Sequence, residues 1–223
     1  MNTSAADEAA DFFSLSKKVT MDKKLVWVGG GIVLAVAIVA ALSVLFASQP
    51  SFRGTLYAEP FPPAADFSLK KADGSEFHLS DQKGKVVLLF FGYTACPDVC
   101  PTTLAEMKLV MEKLGDTGRD VQVVFVSVDP DRDTSEKMQT YVEHFNPSFL
   151  GLSGTIQELE PVWNDYSITR EAVESDSAFG VIINHTARVF LVDPQGNMRL
   201  TFAYQTPVED IVHDIRLVLE QEQ

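Results

Sequence analysis

Cysteine is scarce in this chain: there are two among 223 residues, Cys96 and Cys100. So few exclude a multi-disulfide scaffold and any four-thiolate metal site within one chain. Basic residues are also few, 18 Lys and Arg against 31 Asp and Glu, for a net charge of −13. A nucleic-acid surface needs clustered cations against phosphate, so no nucleic-acid partner is expected. Disorder of the whole chain is excluded as well, because 46% of the residues are hydrophobic and 10% aromatic. A mean hydropathy of +0.05 is high for so acidic a protein, so the apolar residues must be concentrated somewhere.

They are concentrated at residues 25–47, LVWVGGGIVLAVAIVAALSVLFA, a run of 23 residues without a charge. As a helix this run spans about 34 Å, enough for a bilayer core with some tilt. A signal peptide has an apolar region of only about 7–15 residues, followed by a small-x-small cleavage site. Leu45 and Phe46 stand where that site would be. The run therefore reads as a single uncleaved transmembrane helix. Lys17, Lys18, Lys23 and Lys24 precede it and only Arg53 follows closely, so the positive-inside rule puts the N-terminus in the cytoplasm. The expected organisation is a cytoplasmic tail at 1–24, an anchor at 25–47, a linker at 48–63 and an exported domain at 64–223. Pro50, Pro60, Pro62 and Pro63 mark the linker. Residues 54–223 hold 13 basic and 27 acidic side chains, so the acidity belongs to the exported part. The 24 leading residues mix acids with bases and contain no Arg, unlike a mitochondrial presequence. That favours a bacterial inner membrane with the domain in the periplasm.

The exported part reads as alternating strands and helices. Residues 66–69 and 76–79 flank Asp73-Gly74, a hairpin turn signal. KVVLLFFGY, residues 85–93, and VQVVFVSV, residues 121–128, are continuous apolar runs of strand length, as in strands buried on both faces. Residues 101–114 have helical spacing, with Leu104, Met107, Met111 and Leu114 on one stripe. Helices are expected at 135–145, 156–166 and 208–220, and strands at 187–192 and 198–203 around a Pro194–Asn197 turn. The order implies an α/β sheet with helices on both faces.

Cys96-Pro97-Asp98-Val99-Cys100 falls between the first buried strand and the first long helix. A sulfur at a helix N-terminus meets unpaired N–H groups and the positive end of the dipole, which favour thiolate. Residues at i and i+4 lie on one helical face, so both sulfurs reach one metal ion. The same spacing leaves the Cα atoms about 6 Å apart, within the range of a disulfide. A purely structural disulfide closing so short a loop would remove little unfolded-state entropy. Redox and metal chemistry therefore both remain open. Asp98, between the cysteines, either raises the thiol pKa values, helps hold a cation, or is a solvated turn carboxylate. Asp129, Asp131 and Asp133 alternate like the start of a calcium loop, but Thr134 and Thr140 occupy the places of its Gly and Glu. Asp129, at a strand end, is instead a candidate to face the cysteine pair. Met107 and Met111 are soft enough to bind copper, but their place on the helical stripe makes them core residues.

FGYTACPDVCPTTLAEM, residues 91–107, resembles the motif of the Sco/SenC family of membrane-anchored, thioredoxin-fold copper proteins. VSVDPDRDT, residues 126–134, is similar to the family's acidic loop, and NHTARVFLVDPQG, residues 184–196, to its histidine segment. The resemblance covers residues 60–220. It implies a thioredoxin-like α/β fold with an N-terminal hairpin extension, preceded by the transmembrane helix. It also implies His185 as the third ligand, with Cys96 and Cys100, of a copper ion. The chain's other histidines, His78, His144 and His213, have no such match. Soft Cu(I) prefers thiolate and imidazole, and the same three donors suit Cu(II). The implied activity is assembly of the copper A centre in subunit II of cytochrome c oxidase. The chain would either deliver copper to that centre or reduce its cysteines, with another periplasmic copper chaperone or a thiol reductant upstream. The competing reading from the residues is a thiol–disulfide oxidoreductase acting on exported proteins, which needs Cys96 and Cys100 as a redox pair but not His185.

Overall fold

The computed structural model describes residues 51–174 and 180–221, together with residues 27, 31–32 and 34–40 of the N-terminal stretch. The chain divides into two units, Met1–Ser51 and Phe52–Gln223. In the first, the described residues are helical, and Trp27, Ile32, Leu34, Val36, Ile38 and Val39 are exposed. Among the described residues no helix is long and apolar enough to cross a membrane. The tail expected at 1–24 lies outside the described residues, and so does most of the anchor expected at 25–47.

The second unit runs β1 (Thr55–Leu56), β2 (Ser68–Lys70), β3 (Glu76–His78), β4 (Val86–Gly92), α1 (Val99–Leu114), β5 (Val121–Ser127), α2 (Ser135–Glu143), β6 (Leu150–Leu152) and α3 (Ile156–Asp165). It continues through β7 (Arg170–Glu174), β8 (Val181–His185), β9 (Arg188–Val192) and β10 (Met198–Ala203) to α4 (Val208–Gln221). The main sheet has the order β1-β10-β9-β4-β5-β6. β4, β5 and β6 are parallel, while β9 runs antiparallel to β4 and β10 antiparallel to β9. β2–β3 and β7–β8 form separate two-stranded ladders.

Every residue of β4 is buried, because apolar groups cover both of its faces. On one face Phe90 stacks on Phe125, which meets Tyr141 of α2, and Gly92 lies against Cys100 of α1. On the other, Phe91 meets Phe190 and Tyr166, and Tyr166 packs on Phe67 beside the β2–β3 hairpin. Leu104, Met107, Val110 and Leu114 form the inner stripe of α1. Met111 is only half-buried, at the edge of that stripe.

The long elements fall where the sequence pattern put them. The short ones, β1, β6, β7 and β8, were not expected. Residues 52–63 read as linker, yet they pack on the second unit. Backbone N–H groups of Arg53 and Gly54 donate to the buried Asp214 carboxylate, β1 pairs with β10, and Met198 donates to the carbonyl of Pro62. Proline there removes donors without preventing side-by-side packing at a sheet edge. The register places Thr55 beside Thr201, Thr201 beside Phe190, and Phe190 beside Leu89. β1 thus joins the sheet level with the middle of β4 and runs antiparallel to it, so the chain comes to it from the side on which β4 delivers the cysteine segment.

Candidate metal centre

β4 ends at Gly92, where the next layer leaves no room for a side chain. A Cβ at that position would lie 2.7 Å from Cys100 Sγ and 2.6 Å from Phe125. The chain then passes Tyr93 and turns, with Cys96 N–H donating to the Tyr93 carbonyl at 3.3 Å. α1 begins at Val99, so Cys100 lies in its first turn, fully buried, while Cys96 is half-buried just outside it. Cys100 N–H donates to Cys96 Sγ at 3.4 Å, as an unpaired helix N-terminal amide should. Both cysteines are free thiols.

The two sulfurs are electrostatically unlike. A hydrogen bond from Cys100 is the largest cause that brings the Cys96 thiol down to about 4, with help from His185 and the amides of Cys100 and Asp98, against burial. Cys100 is driven far up by its role as donor to Cys96 and by burial. The pair therefore holds one proton between a half-exposed thiolate and a buried thiol.

His185 ends β8, within a strand rather than in the loop expected before one. Its Nε2 is 3.8 Å from Cys100 Sγ. Its Nδ1 is 3.0 Å from the Thr186 carbonyl. A carbonyl only accepts, so Nδ1 carries a hydrogen, and Nε2 is the ring atom turned to the sulfurs. That is how metal-binding histidines are held. A sulfur and an imidazole nitrogen sharing one ion stand about 3.7 Å apart, close to the observed spacing. Two sulfurs and an imidazole also match the softness of copper. Among the described residues no three His, Cys, Asp or Glu are already set as a metal cluster.

The other candidates are placed elsewhere. Asp98 is exposed at the start of α1, 3.5 Å from the Thr102 hydroxyl, and its side chain caps nothing. Asp129 is buried and pairs with Arg132, and burial raises its pKa against that cation. The structure gives Asp129 no bond to either sulfur. The carboxylate that reaches the cysteine segment is Asp133. It accepts from Thr94 N–H at 3.1 Å, from the Thr94 hydroxyl, and from Ser127 Oγ at 3.0 Å. The calcium-loop pattern drew the sequence reading to the alternation of these aspartates and past this one's role. Tyr93 was also missed, since the end of an apolar run reads as core. His78 pairs with Glu76, His144 with the Thr140 carbonyl, and His213 with Asp214.

A thioredoxin-like sheet that presents C-x₃-C at its first βα turn to a histidine from a separate hairpin defines a class of two-cysteine, one-histidine site. The SCO1/SenC family model matches residues 57–220, and the chain belongs to that family. A solution structure of apo Sco1 from Thermus thermophilus is 36% identical with a TM-score of 0.68, covering 76% of this chain and 98% of that one. ScoI of Bradyrhizobium japonicum, solved with copper bound, is 34% identical with a TM-score of 0.64, covering 70% and 99%. An SCO2-like protein of Rickettsia felis is 30% identical over 162 residues, 72% of this chain and 79% of its own length.

Proposed function

We propose that this chain is a membrane-anchored copper-binding assembly factor, held by residues 25–47 with its domain in the periplasm, that serves the copper A centre in subunit II of cytochrome c oxidase. The observation that carries the copper reading is the convergence of Cys96, Cys100 and Nε2 of His185 at one sheet end. The copper-bound relative at 34% identity supports it. The Sco family is one of cytochrome c oxidase assembly proteins, which supports the choice of oxidase. Copper is the cargo. Cys96, already a thiolate, receives it, Cys100 must lose its proton to the solvent or to the partner, and His185 completes the set. A half-exposed site with only three donors permits exchange onto a partner's thiolates, where a closed four-ligand site would retain its ion.

The asymmetry of the thiols favours a second reading, reduction of the partner's cysteines. Cys96 thiolate attacks a disulfide sulfur of the partner, and one partner thiolate leaves. Cys100 then loses its proton and attacks Cys96 Sγ, releasing the second partner thiolate. The partner gains two electrons and Cys96–Cys100 becomes a disulfide. A strain lacking this chain, complemented with variants, separates the readings. Cys96→Ser with Cys100→Ser abolishes oxidase assembly under both, whereas His185→Ala abolishes it only under delivery. Normal assembly with both cysteines replaced overturns both.

A further inference from the structure

The hairpin that carries His185 is not part of the main sheet. Among the described residues β7 and β8 pair only with each other, and no strand ladder there fixes the imidazole against the cysteines. Side chains make the connection. Tyr93, one residue past β4 and 1% exposed, accepts the Ile183 N–H on its hydroxyl at 3.2 Å. Its ring meets the His185 ring edge-on, with centroids 5.9 Å apart and planes at 81°. Its backbone carbonyl meanwhile holds the Cys96 N–H. Arg132, between β5 and α2, lies over the same ring at 5.6 Å from its centroid. It pairs with Asp129 through Nε and donates through Nη1 to the Val181 carbonyl at 2.9 Å. Residues 181, 183 and 185 follow one another at the period of a strand, so holding the first two sets the third.

We propose that Tyr93 and Arg132 are the positioning residues of His185: together they clasp the β7–β8 hairpin to the cysteine segment and so decide whether the imidazole faces the sulfurs. This rests on the copper reading for its consequence, though not for its geometry. A phenylalanine would fill the core at position 93 equally well, and the tyrosine hydroxyl has its uses at Ile183, whose N–H it accepts, and at the Cys96 sulfur. Asp129, expected to face the cysteines, instead aims Arg132 at the hairpin. Arg132 Nη2 is buried without a hydrogen-bond partner among the described residues. An unsatisfied donor makes a clasp less than maximally stable, which suits an arm that must release its ligand when cargo leaves.

The test uses the full chain in detergent, reduced, as wild type, Tyr93→Phe, Arg132→Gln and His185→Ala. Amide hydrogen exchange without copper is read first. Faster exchange at residues 181–185 in Tyr93→Phe and Arg132→Gln, with β4 and β5 unchanged, supports the clasp. Unchanged exchange there overturns it, whether or not the chain takes copper. Copper affinity is read next. Cu(I) can rest on two thiolates, but Cu(II) needs the imidazole. Loss of about tenfold in Cu(II) affinity, the usual cost of removing a ligand's support, with Cu(I) affinity held within about twofold, supports positioning. Cu(II) affinity equal to wild type in both variants while His185→Ala loses it overturns positioning. So does an equal loss of both oxidation states, which would mark damage to the cysteine segment. Absence of copper binding by the wild type defeats the proposed function alone, and the exchange result then decides the clasp.

Discussion

At the scale of the residue, the cysteine pair gains its character from a few angstroms of chain. The spacing and the helix start were legible in sequence, and they suffice to foresee thiolate character. The division of labour was not legible, because it depends on which sulfur the neighbouring layer covers. Gly92 lets Cys100 sink against the sheet, and the buried thiol then donates to Cys96. His185 is 85 positions from Cys100, and only a family resemblance connected them before the fold did. Tyr93 was hidden by its apolar neighbours. The Cys96 thiol lies at about 4 and below its unfolded value, so thiolate persists as pH falls until that range. Alkylation of the reduced chain by iodoacetamide is therefore expected to label Cys96 alone, at a rate nearly constant from pH 6 to pH 8 on the scale of that shift. A rate that climbs about tenfold per pH unit toward 8.5 would show an ordinary thiol.

Among the elements, length decided what could be foreseen. Strands buried on both faces and helices with an apolar stripe carry their own signal. β6 is three residues long and β1 two, too short for any periodicity. β7 reads Arg-Glu-Ala-Val-Glu and is exposed along most of its length, so it lacks the alternation of a half-buried strand. The loop from β5 to α2 alternates aspartates as a calcium loop does, but Asp129 and Asp133 are buried structural groups and Asp131 is exposed. Asp133 ties that loop to Thr94 and thus fixes the approach to Cys96. Asp133→Asn puts an amide N–H₂ among three donors. It should cost about 2–3 kcal/mol in denaturant unfolding, since hydrogen bonds to a buried charge are lost and a donor is left unpaired. It should also slow reclosure of the Cys96–Cys100 disulfide. Wild-type stability in that variant would remove Asp133 from the account.

For the whole molecule, the sequence separates a hydrophobic N-terminal run from an acidic domain, and the domain's α/β class follows from element order. The position of residues 52–63 does not follow from their composition. Asp214, wholly buried on α4, gathers the N–H groups of Arg53 and Gly54 and the His213 ring. Three donors meeting one carboxylate convert a proline-rich stretch into a docked one. Asp214→Ala should free that stretch, expose residues 52–56 to limited proteolysis, and lower stability by about 1–3 kcal/mol. Unaltered cleavage would mean that β1 pairing alone holds it.

The central claim is that Cys96, Cys100 and His185 form one copper site. Its most direct measurement is a copper titration of the reduced full chain, wild type beside His185→Ala, under anaerobic conditions. The account predicts one copper per wild-type chain in either oxidation state. It also predicts loss of Cu(II) binding in His185→Ala by at least about two orders of magnitude, with Cu(I) retained on the thiolates. A reduced wild-type chain that binds no copper, or a His185→Ala chain that binds Cu(II) as tightly as wild type, would contradict it.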